Sequence, residues 1–272
     1  MLLRIPGCES GRPPEDLRVL DGGGAQNRCL ALHTGSGHFV LRLRLSTLPR
    51  PGADGAQELQ CQRLAAAAGL APAVLDAAPD ANWVLMEYVE GAMWTRQALA
   101  DPARLEALGA RLALLHGLSP PAVAALDVDA IVQGQLAQIR ARGGVDGPAL
   151  ARLAASAAAL SARIGAAGVP SVLNHGDLSV ANLLGPRPML VDWEYAQRAD
   201  PVYDLACLLA YYPELAGQQD RLLGAADLGG SAARERLETH VALFAVFNTL
   251  WRLAQGPAHG DAAGLVPAPS AE

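Results

Sequence analysis

Lysine is absent from this chain of 272 residues, and all 21 of its fixed cationic side chains are arginine. Any role that proteins commonly give to a lysine amine must therefore fall to arginine here. Cysteine is scarce as well, and its residues form no Cys-x-x-Cys pair. This spacing supports neither a disulfide framework nor a zinc site, and it predicts reduced thiols. The cysteines are Cys8, Cys29, Cys61 and Cys207.

The sequence also lacks a basic run and any apolar stretch of membrane-spanning length. The formal net charge is −6, which disfavours a nucleic-acid surface or an anionic-membrane surface. Near the N-terminus, Pro6 and Gly7 interrupt the chain before the apolar core of a signal peptide could form. We therefore expect a cytoplasmic protein that binds neither nucleic acid nor membrane. The oligomeric state is left open.

The order of the sequence patterns predicts an α+β protein with two lobes. Strands are predicted over residues 17–20, 29–33, 39–45 and 83–89, and a helix over 56–68. From Pro102 onward the apolar residues recur at helical spacing, and helices are predicted over 103–116, 128–142, 148–164, 203–212 and 232–253. The predicted parts are a β-rich N-terminal lobe with one main helix over 1–88, a larger, mostly helical lobe over 89–255 and a disordered tail over 256–272. The first 16 residues are expected to be loosely ordered.

The most informative stretch runs from Asn174 to Asn182 and is followed by Asp192. An aspartate, an asparagine five residues later and a second aspartate ten residues further on have the spacing of a phosphoryl-transfer site. Asp177 would accept or orient the proton of an acceptor hydroxyl, while Asn182 and Asp192 offer the hard oxygen ligands that Mg²⁺ prefers. Short apolar runs flank the motif and predict small strands that bring the three side chains to one mouth. His175 is expected to hold the loop by hydrogen bonding.

A cation for the nucleotide phosphates is expected on the third strand. Residues 39–45 alternate apolar and cationic side chains, which is the pattern of a half-exposed strand. Arg42 is the candidate, because a guanidinium can bind phosphate in a bidentate way. Glu58 is the only acidic residue of the predicted helix and is the natural ion-pair partner. Arg44 lies on the same strand face, so the sequence alone does not separate it from Arg42.

Two further segments are expected to contact the nucleotide. The turn that contains Gly23 and Gly24 would let backbone amides approach the phosphates, although a hairpin turn needs glycine too. Glu87 and Tyr88, at the end of the last strand of the small lobe, complete the predicted nucleotide site.

These residues together resemble the choline/ethanolamine kinase branch of the aminoglycoside phosphotransferase-like superfamily, close to bacterial choline and thiamine kinases. The similarity spans roughly Leu17 to Leu253 and is strongest over Leu173–Asn182 and Val191–Ala196. Members of these groups commonly carry arginine at the strand position matched by Arg42. The resemblance implies a two-lobed protein-kinase-like fold, ATP and Mg²⁺ as cosubstrates, and a small hydroxylated amine as the acceptor.

Aromatic residues are few, at four Trp, five Tyr and three Phe, yet several follow closely after Asp192. Aromatic faces attract quaternary ammonium groups, and a nearby carboxylate such as Glu194 strengthens that attraction. We hypothesise that Glu194, Tyr195 and Trp251 bind a cationic head group. The helical spacing of Trp251 from Phe247 is equally that of a buried core stripe.

The leading function is therefore an ATP- and Mg²⁺-dependent kinase of a small cationic alcohol, choline or ethanolamine first. Thiamine is second, because it also presents a positive charge and a primary alcohol to the site. Aminoglycosides are third, since residues 196–222 offer only a few acids for a polycation. A protein kinase is disfavoured by the short segment after Asp192, and a non-catalytic nucleotide-binding protein is disfavoured by the intact Asp177 and Asn182. The choice between ATP and GTP is left open.

Overall fold

The computed structural model of the chain describes residues 2–20, 27–45, 55–120, 123–143 and 147–256. An antiparallel sheet with one main helix comes first in the chain, and a mainly helical region follows it. This arrangement confirms the predicted α+β fold with a β-rich N-terminal lobe. The predicted turn at Gly23 and Gly24 lies outside the described residues, as does the predicted tail over 256–272 apart from Gly256.

The N-terminal lobe is built on a five-stranded sheet with the strand order β1-β2-β3-β5-β4. Its elements are β1 (Asp16–Leu20), β2 (Asn27–Thr34), β3 (Gly37–Arg44), α1 (Gly55–Ala67), β4 (Val74–Ala77) and β5 (Trp83–Glu87). The alternation in the sequence of β3 places Leu41 on one face and Arg42 on the other. Strand β4 was not predicted, because Pro72 and Asp76 break the apolar pattern around it.

Both faces of this sheet are covered, which corrects two expectations. The N-terminal segment is not loose: Ile5 and Cys8 are buried against Phe39 and Leu41 of β3. The opposite face packs against α1, so β3 is not a half-exposed strand, and Arg42 is only 4% exposed. A cationic side chain is tolerated at this depth because a carboxylate from α1 pairs with it.

The C-terminal lobe consists of six helices around one apolar core, among the described residues. They are α2 (Pro102–His116), α3 (Val128–Arg142), α4 (Gly147–Ala166), α5 (Tyr203–Tyr211), α6 (Gln219–Ala225) and α7 (Ser231–Gln255). Asp101 and Asp127 cap the N-termini of α2 and α3 by accepting hydrogen bonds from backbone N–H groups. Helix α7 packs against α3, α4 and α5, because its apolar residues recur every three or four positions. No described helix has both the length and the apolar character needed to span a membrane.

Two small antiparallel sheets of two strands each hold the predicted motif. They are formed by β6 (Val172–Asn174) with β9 (Gln197–Ala199), and by β7 (Leu183–Leu184) with β8 (Met189–Leu190). The loop that carries Asp177 therefore leaves β6 and enters β7, and Asp192 lies two residues after the end of β8. The short apolar runs of the sequence form strands as expected, and they bring the two aspartates to the same side of the lobe.

Candidate active site

The carboxylate of Asp177 is held by hydrogen bonds to both of its oxygens. The Tyr211 hydroxyl donates to Oδ1 at 2.8 Å, and the Asn182 side-chain amide donates to Oδ2 at 3.0 Å. The same amide donates to the backbone carbonyl of Asp177 at 2.8 Å. These contacts fix one orientation of the carboxylate. A carboxylate that accepts a proton from a substrate hydroxyl needs such a fixed orientation.

The environment of Asp177 raises the pKa of its carboxyl group above the usual value. Burial is the main cause, and the negative charge of Asp192 adds to it. The hydrogen bond from Tyr211 and the proximity of His175 oppose the shift. A carboxylate with a raised pKa is a stronger proton acceptor, so the site suits Asp177 to the role of a base.

The loop before Asp177 is anchored by Asp204, a fully buried residue at the start of α5. Its carboxylate accepts hydrogen bonds from the backbone N–H groups of His175 and Gly176, each at 2.9 Å. The Nε2 atom of His175 lies 2.9 Å from the carbonyl oxygen of Val191, and its ring stands edge-on to Trp193. His175 thus holds the loop against the segment that carries Asp192, as expected from the sequence.

Gly176 lets the loop approach that segment closely. Its φ angle is +84°, and a Cβ atom at this position would lie 2.1 Å from the carbonyl oxygen of Tyr195. Both the backbone conformation and the lack of space exclude a larger residue.

Asn182 and Asp192 present a donor set that fits Mg²⁺. The amide nitrogen of Asn182 is engaged by Asp177, which leaves its carbonyl oxygen as the ligand atom. Asp192 has a φ angle of +66°, a strained conformation for a residue with a side chain, and its carboxylate is 30% exposed. Within the described part of the chain, no group of three or more His, Cys, Asp and Glu side chains could hold a metal ion. Two protein ligands alone would leave most coordination positions to phosphate oxygens and water.

Arg42 links the small lobe to Asp192. Its guanidinium forms a close ion pair with Glu58 and lies 3.3 Å from Oδ1 of Asp192. Arg44 reaches the other oxygen of Glu58 at 2.8 Å and the backbone carbonyl of Asp80 at 3.2 Å. Burial raises the pKa of Glu58, and the positive charge of Arg42 opposes that shift. The geometry therefore distinguishes the two arginines: Arg42 faces the predicted metal ligand, while Arg44 supports Glu58.

Glu87 and Tyr88 follow β5, where the chain passes from one lobe to the other. The Glu87 carboxylate accepts a hydrogen bond from the backbone N–H of Ala73 at 2.9 Å, and the Tyr88 hydroxyl accepts one from Arg18 at 3.2 Å. Both side chains are thus engaged within the lobe. Their role in nucleotide binding stays a prediction.

The aromatic residues divide into core residues and residues near the loop. Phe244 and Phe247 are buried in the core, as their helical spacing indicates, and Trp251 is half-buried toward the end of α7. Trp193 is fully buried and donates to the carbonyl of Leu190 at 2.9 Å, so it is structural. Glu194 and Tyr195 are half-buried beside it. The acceptor-binding roles of Glu194, Tyr195 and Trp251 stay predictions.

Two tyrosines near the loop were not singled out from the sequence. Tyr211 binds Asp177, and the Tyr212 hydroxyl accepts a hydrogen bond from the backbone N–H of Val180 at 3.0 Å. The only sequence signal for them is their membership of the aromatic group that follows Asp192. Which ring would reach the loop depends on the rotation of α5, which the sequence does not specify.

Comparison with known proteins places this site in a family. The profile of the phosphotransferase enzyme family (APH) matches residues 17–261. None of the curated proteins matches the chain significantly by sequence.

Solved structures of kinases share the fold. A choline/ethanolamine kinase family protein from Mesorhizobium loti is 25% identical, with a TM-score of 0.76 over 93% of this chain and 83% of that chain. The choline kinase LicA from Streptococcus pneumoniae is 18% identical, with a TM-score of 0.75 over 93% of this chain and 91% of its own. APH(2")-IIia, solved with GDP and kanamycin, is 20% identical, with a TM-score of 0.65 over 94% of this chain and 92% of its own.

The predicted kinase-like fold and the resemblance to this superfamily are thereby confirmed. The family match covers both the sheet that carries Arg42 and the loop that carries Asp177. The chain belongs to the phosphotransferase enzyme family and is a small-molecule phosphotransferase with an alcohol group as acceptor.

Proposed function

We propose that the protein is an ATP- and Mg²⁺-dependent kinase that phosphorylates the hydroxyl of a small cationic alcohol such as choline or ethanolamine. The observation that carries this proposal is the arrangement of two aspartates. Asp177 is oriented by Tyr211 and Asn182. Asp192 lies close to it and is connected to Glu58 through Arg42. The choline/ethanolamine kinase family protein among the similar structures supports the choice of acceptor.

In the proposed reaction, the acceptor oxygen attacks the γ-phosphorus of ATP. The new oxygen–phosphorus bond forms as the bond between the γ-phosphorus and the β–γ bridging oxygen breaks, and that electron pair leaves with ADP. The hydroxyl proton passes to the carboxylate of Asp177. Arg42 provides a fixed positive charge toward the phosphates, and Glu58 holds its guanidinium in place. Mg²⁺, when bound by Asn182 and Asp192, would neutralise charge on the phosphate oxygens.

The acids of the large lobe favour a monocationic acceptor over a polycation. Each acid of residues 196–222 already has a partner within the protein. Asp200 pairs with Arg236, Glu214 with Arg96 and Asp220 with Arg234, while Asp204 binds the backbone of the loop. A polycationic aminoglycoside would need several carboxylates, and the burial of Asp200 and Asp204 leaves only Glu214 and Asp220 in this segment. We therefore place aminoglycosides behind choline, ethanolamine and thiamine.

The acceptor pocket is proposed to include Glu194, Tyr195 and Trp251. Glu194 and Tyr195 lie within three residues of Asp192 along the chain. An aromatic face and a carboxylate together attract a quaternary ammonium group. Substitution of Trp251 by alanine should raise the acceptor KM if the ring lines the pocket, and an unchanged KM in a folded variant would remove Trp251 from it.

The test is ADP formation by the purified chain with MgATP and a panel of acceptors: choline, ethanolamine, thiamine and kanamycin. We expect turnover of choline or ethanolamine, and a loss of about 10²- to 10⁴-fold in kcat for Asp177→Asn, which keeps the shape of the side chain. Turnover of thiamine or kanamycin alone would correct the acceptor class. Turnover of none of these acceptors would contradict the proposed reaction. Equal activity of Asp177→Asn and the wild type would contradict the role of Asp177 as the base.

A further inference from the structure

We propose that the ring of Tyr212 and the carboxylate of Glu214 form a binding subsite for an organic ammonium group, and that the guanidinium of Arg96 occupies this subsite when the acceptor is absent. The inference rests on the proposed function only for the identity of the ligand, a small cationic alcohol. The subsite itself is argued from the contacts of these three side chains.

The three side chains form a cage that already holds a cation. The Cζ atom of Arg96 lies 5.3 Å from the centroid of the Tyr212 ring. Its Nη2 atom donates to Oε2 of Glu214 at 3.1 Å, and its Nε atom pairs with the other carboxylate oxygen. A positive charge over an aromatic face and against a carboxylate is the arrangement by which proteins bind ammonium groups.

The cage is joined directly to the catalytic loop. The hydroxyl of Tyr212 accepts the hydrogen bond from Val180, three residues after Asp177. The preceding residue, Tyr211, donates to the carboxylate of Asp177 itself. A head group bound at the Tyr212 ring would therefore lie beside the loop that carries Asp177.

The ion pair between Arg96 and Glu214 is open to solvent, so an incoming cation can compete for the carboxylate. The side chains of Arg96 and Glu214 are 50% and 44% exposed, and exposed ion pairs contribute little to stability. Their mutual hydrogen bond raises the pKa of Arg96 and lowers that of Glu214, so both stay charged around neutral pH. Glu214 thus offers a full negative charge to an incoming cation.

A different role for Arg96, as a structural latch, makes the opposite prediction. A latch that shapes the acceptor pocket would weaken acceptor binding when removed. A competitor that fills the pocket would strengthen acceptor binding when removed. The direction of the change in KM therefore separates the two roles.

The kinetic test uses Arg96→Met, which keeps the aliphatic stem and removes the charge. We expect the KM for choline to fall by about two- to fivefold, the range of one exposed cation–π contact, with the KM for ATP unchanged. Glu214→Gln should raise the KM for choline. Glu214→Gln should leave the KM for 3,3-dimethylbutan-1-ol as it is, because carbon replaces the charged nitrogen in that alcohol. An unchanged or raised KM for choline in Arg96→Met would overturn the inference.

Arg4 provides a matched control. It also stacks on an aromatic ring, Trp83 at 5.7 Å, and pairs with a carboxylate, Asp76 at 3.1 Å, but it lies on the N-terminal lobe. Arg4→Met should leave both KM values as they are. An equal drop in the choline KM in Arg4→Met would show a general effect of lost surface charge and would overturn the inference.

A binding test does not depend on turnover. Tetramethylammonium binding to the full chain, followed by saturation-transfer NMR, should be stronger in Arg96→Met than in the wild type. It should survive in Arg96→Met/Tyr212→Phe, which keeps the ring, and be lost in Arg96→Met/Tyr212→Leu. If the binding strengths follow this order but the protein phosphorylates no cationic alcohol, the subsite is supported and the proposed acceptor is rejected. Equal binding by all four proteins would overturn the subsite, even if choline is phosphorylated.

Discussion

The chemistry of Asp177 depends on the side chains around it. Burial alone would make the carboxyl group hard to ionise, and the Tyr211 hydroxyl and the Asn182 amide offset part of that effect by stabilising the charged form. The same two contacts point the carboxylate in one direction. Tyr211 therefore acts as a positioning residue with an influence on proton affinity.

Replacing Tyr211 by phenylalanine should shift the acidic limb of the kcat/KM profile to higher pH. The hydrogen bond lowers the pKa of Asp177, so its loss raises that pKa, and more alkaline solution is needed to keep the base ionised. The measurement is the pH dependence of kcat/KM. Tyr212→Phe removes a hydroxyl that binds only the backbone of Val180, and its acidic limb should stay in place. A shift of equal size in both variants would contradict this role of Tyr211.

Replacing Arg42 by lysine should raise the KM for ATP more than Arg44→Lys does. Arg42 contacts both Glu58 and Asp192, and a single ammonium cannot reproduce that forked geometry. We expect an increase of about tenfold or more for Arg42→Lys, since a hydrogen bond to a charged group contributes roughly 1.5–3 kcal/mol. Steady-state kinetics at varied ATP concentration would measure the KM. A larger increase in Arg44→Lys would assign the phosphate contact to Arg44.

Some of these residues were predictable from the sequence. Glu58 could be named as the partner of Arg42, because the helix that faces the strand offers no other acid. The contacts of Tyr211 and Arg96 could not, because each joins segments that lie far apart in the chain, over 34 residues from Tyr211 to Asp177 and 118 from Arg96 to Glu214. Local spacing contains no information about such pairs.

At the scale of elements, the catalytic loop depends on its close packing against the segment after β8. Gly176 is the point of closest approach, with the carbonyl of Tyr195 occupying the space of a side chain. The loop, β8 and the start of α5 therefore form one unit, held by Asp204 and His175.

Substituting Gly176 by alanine should reduce both stability and kcat, whereas Gly168→Ala should have a much smaller effect. Both glycines have a positive φ angle, +84° and +61°, but a Cβ at Gly168 would meet nothing within 4 Å. The strain of a side chain at a positive φ angle, of order 1–3 kcal/mol, is present in both variants, and the difference between them reports the clash with Tyr195. Urea unfolding of each variant measures the free energy of unfolding. Equal losses in the two variants would show that the close packing is relieved at no cost.

Periodicity predicted most elements because each depends on a local pattern. Helix α7 was predicted over 232–253 and spans Ser231–Gln255. The environment of an element was less predictable: β3 shows the alternation of a half-exposed strand, yet Glu58 covers its cationic face. Helix α6 was missed because seven residues are too short to establish a period, and strand β9 was missed because its sequence, Gln197-Arg198-Ala199, contains no apolar run.

At the scale of the whole molecule, single side chains connect the two lobes. The Gln57 amide on α1 donates to the carbonyl of Ala196 at 2.7 Å and accepts from the N–H of Ala124 at 2.8 Å. Arg42 reaches Asp192 across the same gap. A nucleotide bound between the lobes would add contacts to both sides.

Nucleotide with Mg²⁺ should therefore raise the melting temperature of the protein. At 100 times the Kd, a ligand that binds only the folded state stabilises it by about 2.7 kcal/mol, which corresponds to a shift of several degrees. A non-hydrolysable ATP analogue should give this shift with Mg²⁺ and a smaller one with EDTA. In Asp192→Asn, which keeps the shape of the side chain, the dependence on Mg²⁺ should weaken. Equal shifts with and without Mg²⁺ in the wild type would argue against the proposed metal ligands.

The guanidinium between Glu58 and Asp192 also determines which reagents can mark this protein. Nucleotide analogues that carry an acyl phosphate label kinases by transferring the acyl group to a lysine amine beside the phosphates. Here the side chain proposed to face the phosphates is Arg42, and the chain contains no lysine side chain to accept the group. A survey of kinases by such acylating probes would pass over this protein even when its nucleotide site is fully active.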